Sequence, residues 1–178
     1  RGNNAISSPY EPGSVEKVLT AAALVDSGTA TPETRITIPN RLQSGPLSIK
    51  DAFNHDSDPL KLRLRGAVAR SSNIGMALLT RQMDRAQLND YWKRFGLGKP
   101  TGVQLPGESG GIIPSADMSD IQRDQAAFGQ AISVTAVQEA AAVAGIVNGG
   151  VYHPPTVVSQ VTDSAGNTVD VDKRQPRR

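Results

Sequence analysis

The chain has 178 residues, 38% hydrophobic and 4% aromatic, enough for one domain with a core of Ala, Val, Ile and Leu. Its 19 Lys and Arg against 17 Asp and Glu leave a formal charge of +2, too mild to argue for nucleic acid. The absence of cysteine excludes disulfides, a thiol nucleophile and thiolate metal sites, and no apolar run approaches the ~18 residues a membrane helix requires.

The first predicted element is a helix that begins at Ser14 and runs through the apolar stretch 18–25. Pro12-Gly13 makes the turn before it, Ala21-Ala22-Ala23 keeps it slim, and Gly28 sits just past its end. Residues three apart share a helix face, so the Ser14 hydroxyl would lie beside the Lys17 ammonium, a candidate nucleophile and its base. The spacing itself is weak evidence, since 15 Ser and 6 Lys give about 0.5 such pairs by chance, and a plain capping serine is the competing reading. The open N–H groups of a helix start suit both a serine cap and a developing oxyanion.

Residues 59–69 read as a basic helix and 74–83 as an apolar one. Between them lies Arg70-Ser71-Ser72-Asn73, a loop that can aim short polar side chains into a cleft, or be an ordinary turn. Lys61-Leu62-Arg63-Leu64-Arg65 alternates basic and apolar residues and reads as a solvated face before a phosphate-binding stripe. His55 and His153 have no ligand-spaced partners, so a metal site is not expected.

Helical spacing returns over 84–95 through Leu88, Tyr91, Trp92 and Phe95, aromatics that read as core. The six glycines and three prolines of 96–114 predict turns and short extended pieces. Thr135-Ala136-Val137-Gln138 fits a capping box opening a long helix, apolar nearly all round and hence expected to be buried, which Gly149-Gly150 ends. The last element predicted is a hairpin, with strands at 157–161 and 168–171 around an Asp163-Ser164-Ala165-Gly166-Asn167 turn.

Four segments in order carry a resemblance: Tyr10-Glu11-Pro12-Gly13-Ser14-Val15-Glu16-Lys17; Ser71-Ser72-Asn73; Phe95-Gly96-Leu97-Gly98 with Thr101-Gly102-Val103-Gln104-Leu105-Pro106-Gly107-Glu108; and Phe128-Gly129-Gln130-Ala131-Ile132-Ser133-Val134-Thr135. Together they resemble, nearly end to end, the transpeptidase domain of class B penicillin-binding proteins, most like the septal, cell-division type; Ser-x-x-Lys is the signature of that group. The family's third motif, Lys-Thr/Ser-Gly on a cleft-lining strand, has no match, because Lys99-Pro100-Thr101-Gly102 has an intervening proline and belongs to the Thr-Gly-Val-Gln loop.

The resemblance implies a mixed α/β fold, of which this chain holds the mainly helical part with a C-terminal hairpin and an incomplete main sheet. Residues 1–178 are expected to be a partial transpeptidase domain, nearly inactive alone, with an N-terminal membrane anchor and the third-motif strand lying outside the chain. It implies an acyl-serine D,D-transpeptidase of peptidoglycan stem peptides on the outer side of the cell membrane. Ser14 would be the nucleophile, Lys17 its base, Ser71 the relay to the leaving amine and Asn73 the residue holding the substrate amide. β-Lactams would acylate Ser14, and division membrane proteins or a second piece of the same protein are the expected partners; no cofactor, metal or nucleic acid is implied. The alternatives are a serine β-lactamase, for which no deacylation segment is recognisable, a non-catalytic penicillin sensor, and a division scaffold.

Overall fold

The computed structural model describes residues 2–55, 59–169 and 176–177. After the one-turn helix α1 (Asn4–Ser7), the chain makes a 3₁₀ turn, Gly13–Val15, that runs directly into the central helix α2 (Glu16–Asp26). Leu19, Ala23 and Leu24 bury one side of α2, and Gly28, at φ +74°, turns the chain away after its last turn. Around α2 pack α3 (Leu64–Ala69), α4 (Asn73–Thr80), α5 (Arg85–Arg94) and α7 (Ala136–Val147), while α6 (Asp120–Ala126) lies against α4. The main core joins α2 to Met76 and Leu79 of α4, Leu88 and Trp92 of α5, and Ala126, Ile132 and Val134.

Among the described residues, three two-stranded antiparallel ribbons decorate this helical body: β1 (Arg35–Ile38) with β4 (Leu60–Arg63), β2 (Leu42–Ser44) with β3 (Leu47–Ile49), and β5 (Val161–Thr162) with β6 (Thr168–Val169). Ile38, Leu42 and Ile49 from the first two ribbons form a second core with Ile74, Ala77 and Phe128. The architecture is thus the expected mixed one, mainly helical with small, incomplete sheets.

The sequence reading needs correction at several places. Residues 60–63 form strand β4, not the start of a helix: Leu60 and Leu62 face the second core from a period-2 pattern while Lys61 and Arg63 point to solvent, and the helix starts only at Leu64. α7 is buried on one side only, because Ala136, Ala140, Ala144 and Val147 make an exposed stripe, with Val147 79% exposed. Alanine's small side chain had made that exposed face look like core. The terminal hairpin has the expected turn, with Asp163 Oδ1 accepting from the N–H groups of Ala165 and Asn167, but its strands are two residues each and 157–160 lie outside them. Residues 170–171 of the expected strand lie outside the described residues.

The other elements follow their local signals. Asp84 caps α5 by accepting from Ala86 and Gln87, and the Thr135–Gln138 capping box opens α7 as its spacing requires. Residues 96–114 contain no helix or named strand, and the loop is organised by the Glu108 carboxylate, which accepts from Thr101 N at 2.7 Å, Gly102 N at 2.9 Å and the Thr101 hydroxyl. Gln138 Nε2 pins this loop to α7 by donating to Lys99 O and Gly110 O, both at 2.8 Å.

Candidate active site

The turn that presents Ser14 depends on backbone that only glycine adopts readily. Gly13 has φ +58° and donates its N–H to Gly129 O at 3.0 Å, and Gly129 itself sits at φ +85°. A Cβ at Gly129 would lie 2.0 Å from Gly13 O, so the two turns are in direct backbone contact. The clamp extends on both sides: Tyr10 and Val134 exchange backbone bonds of 2.9 and 3.0 Å, and Glu11 Oε1 accepts from Ala131 N at 3.0 Å. The segment 128–134 is therefore the support of the Ser14 turn, a role its sequence did not disclose.

Ser14 is not a capping serine. It lies inside the 3₁₀ turn, exposed, and α2 starts two residues later with no side-chain cap. Its Oγ is 3.1 Å from Lys17 Nζ and 3.0 Å from Ser71 Oγ, so side chains 57 residues apart in sequence meet as the family resemblance requires. Lys17, only 2% exposed, also approaches Ser71 Oγ at 2.9 Å, Ser71 O at 2.7 Å and Asn73 Oδ1 at 2.6 Å.

Two of those partners, the Ser71 carbonyl and the Asn73 amide oxygen, can only accept. They take two N–H bonds whether the amine is charged or neutral, which directs the remaining position of Nζ toward the two hydroxyls. When Lys17 is neutral that position is a lone pair able to receive a serine proton. Burial brings the Lys17 ammonium down to about 8, against an opposing pull from the Asp51 carboxylate. About a tenth of the amine is then neutral at pH 7.

Ser71 occupies the link between α3 and α4 with φ +54°, a left-handed conformation uncommon for serine. Two interactions hold it there: the Ser71 N–H donates to Val68 O, and Asp51 fastens the next turn. Asp51, 8% exposed, accepts from Ser72 Oγ at 2.8 Å and from Ile74 N at 3.0 Å, while Ser72 Oγ accepts from Gly75 N to cap α4. Asn73 is oriented by donating Nδ2 to Lys50 O at 3.1 Å. The far end of α4 is fixed by Arg81, whose guanidinium holds the fully buried Asp124 at 2.5 Å, with Ser44 Oγ on the same carboxylate at 2.7 Å.

Behind Lys17, the fully buried Glu16 turns away from the site and accepts from Trp92 Nε1 at 2.9 Å. Burial, then the nearby Glu139, pushes Glu16 well above the usual carboxylate range, and burial raises Glu139 too, which favours the neutral acid form of Glu16 next to Lys17. Sequence reasoning missed Asp51 as part of the site, since nothing in its spacing links it to Ser14, and gave no role to Glu16, although it lies within the Ser14–Lys17 segment. His55 lies 4.0 Å from Asp51, and no group of three or more metal-ligating side chains occurs among the described residues.

The model of the penicillin binding protein transpeptidase domain family matches residues 1–178. The chain belongs to that family. Among curated members of the penicillin-binding protein family, PbpB of Mycolicibacterium smegmatis is 34% identical over 173 residues, 97% of this chain and 26% of that protein. The peptidoglycan D,D-transpeptidase FtsI of Escherichia coli K12 is 34% identical over 157 residues, 87% of this chain and 26% of that protein. The chain thus spans about a quarter of the length of these relatives. The crystal structure of penicillin-binding protein 3 from Mycobacterium tuberculosis complexed with aztreonam superposes with a TM-score of 0.91 at 32% identity, over 98% of this chain and 39% of that one.

Proposed function

We propose that this chain carries the nucleophile-bearing part of a D,D-transpeptidase that cross-links peptidoglycan stem peptides in septal cell-wall synthesis. The observation that carries the reading is one buried amine, Lys17 Nζ, within 3.1 Å of the exposed Ser14 hydroxyl and 2.9 Å of the Ser71 hydroxyl. A serine hydroxyl is a weak nucleophile without an adjacent base, and an amine near 8 is poised to serve at neutral pH.

In the first half-reaction Lys17 takes the Ser14 proton as Oγ adds to the carbonyl between the two terminal D-alanines of a stem peptide. The C–N bond breaks, and the proton reaches the leaving D-alanine amine through Ser71 Oγ, 2.9 Å from Nζ. Asn73, half-buried and held by Lys50 O, would bind the substrate amide beside the ester. The oxyanion would be met by the Ser14 N–H and by an N–H of the family's Lys-Thr/Ser-Gly strand, which this reading places in a longer polypeptide. β-Lactams would acylate the same Ser14. The complexes of the Mycobacterium tuberculosis protein with aztreonam and ampicillin support that expectation by likeness. The same reading places the domain on the outer side of the cell membrane behind an N-terminal anchor, working with division membrane proteins. No helix among the described residues is long and apolar enough to span a membrane, so an anchor would have to be another segment.

The test is a fluorescent penicillin and the full-length protein. Ser14→Ala should abolish labelling and leave thermal unfolding nearly unchanged, because the exposed hydroxyl packs against little. Labelling that persists in the alanine variant removes Ser14 as the nucleophile, and label lost rapidly from the parent would indicate a β-lactamase.

A further inference from the structure

Beside the Ser14–Lys17–Ser71–Asn73 cluster runs an open groove of about 430 Å³ whose lining includes Asn73, Lys50, Leu47, Gln125, Phe128 and Gln130. One wall is strand β3 and the residues after it; the other is the end of α6 and the turn that follows. Both walls are tied to the reacting groups. Lys50 O holds the Asn73 amide at 3.1 Å, and Gly129, next to Gln130, holds the Gly13 N–H that precedes the nucleophile.

Three polar side chains of this groove, Lys50, Gln125 and Gln130, are uncommitted, unlike those of the cluster. Among the described residues Lys50 makes no ion pair, and neither the Gln125 nor the Gln130 side-chain amide is hydrogen-bonded. Asp51 also borders the groove, but both its oxygens are engaged by Ser72 and Ile74, which leaves the exposed Lys50 ammonium as the charge facing an entering molecule. Phe128 gives the groove an apolar floor and Leu47, 40% exposed, an apolar rim.

Acyl transfer between two peptides requires two seats, and the four-residue cluster provides for one scissile carbonyl. The second peptide must bring a neutral amine to the Ser14 ester from a side the first does not fill. We infer that this groove seats the acyl acceptor, a peptide or amino acid whose reacting amine is flanked by a carboxylate, with Lys50 pairing with that carboxylate and Gln125 and Gln130 bonding the adjacent amides. The inference rests on the transpeptidase reading above. In the step it serves, the amine nitrogen forms a bond to the acyl carbon and the C–Oγ bond to Ser14 breaks. The surplus amine proton passes by way of Lys17 to Ser14 Oγ, which regenerates the free hydroxyl.

A D-alanyl thioester as donor, with D-alanine or D-alanine amide as acceptor, separates the two seats in the full-length protein. The readouts are the ratio of aminolysis to hydrolysis and, independently, the rate of penicillin acylation. Lys50→Ala should lower aminolysis by D-alanine about fivefold, the range of one exposed ion pair, while D-alanine amide and penicillin acylation are unchanged. Gln125→Ala should lower aminolysis by both acceptors and again spare acylation. An unchanged ratio in both variants overturns the seat, as does a loss in acylation by the thioester with the ratio preserved, which would make the groove a donor site. A parent that no penicillin labels overturns the transpeptidase reading itself and the seat with it.

Discussion

Asp51 offers the sharpest test of how the base is tuned. Its carboxylate lies on one side of the Ser71–Asn73 turn, bonded to Ser72 and Ile74, and the Lys17 amine lies on the other, bonded to Ser71 and Asn73. Burial lowers Lys17 to about 8 while the Asp51 charge works against that shift, so removing the charge must lower Lys17 further. Asp51→Asn keeps an oxygen for the Ile74 N–H, and its amide can donate to Ser72 Oγ, so the turn survives. An opposite charge within about 4–6 Å shifts a neighbouring group by about one to three pH units, and this one acts from across a turn, so a shift of about one unit is expected. Of the side chains that face Lys17, Ser14, Ser71 and Asn73 carry no charge, and Glu16 turns to the far side, its carboxyl raised well above the usual range by burial and then by Glu139. His55, 4.0 Å from Asp51, is another ionisable group near the replaced carboxylate, so His55→Gln in both backgrounds serves as a control. The assay is β-lactam acylation by stopped flow over roughly pH 5.5 to 9.5, each profile scaled to its own plateau. The parent should rise with a midpoint near 8, and the variant's midpoint should fall by at least about one pH unit, making it roughly tenfold faster than the parent, on this scale, near pH 6.5. An unmoved midpoint, or one displaced upward, would refute the claim that Lys17 is the base and Asp51 its counterweight.

Lys17→Arg keeps the positive charge but cannot give up a proton near neutral pH, so acylation should fall by about 10²–10⁴; a variant within a few-fold of the parent would make Lys17 an electrostatic neighbour only. Gly129→Ala must both hold a side chain at φ +85° and move Gly13 O, 2.0 Å from the new Cβ, whereas Gly149→Ala, at φ +72°, has open space. Urea unfolding should show a loss of about 1 kcal/mol at Gly149 and clearly more at Gly129, with acylation impaired only in the latter; equal losses would show the backbone contact to be dispensable. Glu16→Gln leaves Trp92 an acceptor and removes a buried acid whose folded-state pKa is raised, first by burial and then by Glu139. Such a group stabilises below its unfolded pKa and loses that contribution as pH rises toward the folded value. The parent's stability should therefore fall, as pH rises above the usual carboxylate range, by up to about 1.4 kcal/mol per unit more than the variant's. Parallel pH slopes in denaturant titrations would show Glu16 to be ionised in the folded protein.

What the sequence disclosed and what it hid follow from the range over which each signal acts. Ser14 and Lys17 were legible because three residues of helical or 3₁₀ chain suffice to bring them together, and the Thr135–Gln138 box because a cap closes on itself within one turn. The meeting of Ser14 with Ser71 was legible only through the order of four family-like segments, since no local rule joins side chains separated by 57 residues. Strand 60–63 was misread because the basic residues between its leucines fit a helix face as well as a strand face, and only pairing with Arg35–Ile38 decides between them. Asp51 carried no local signal at all: its importance comes from placing two oxygens under a turn 21 residues downstream. The same holds for Gly129, which in sequence is one more glycine in a Phe-Gly-Gln triplet and in space is the surface against which the Ser14 turn is pressed. The reacting groups were thus written in short spacings, and the parts that set their geometry and protonation were written in contacts between distant segments. This division explains why the candidate nucleophile and base could be named before the fold was known, while the counterweight to that base could not.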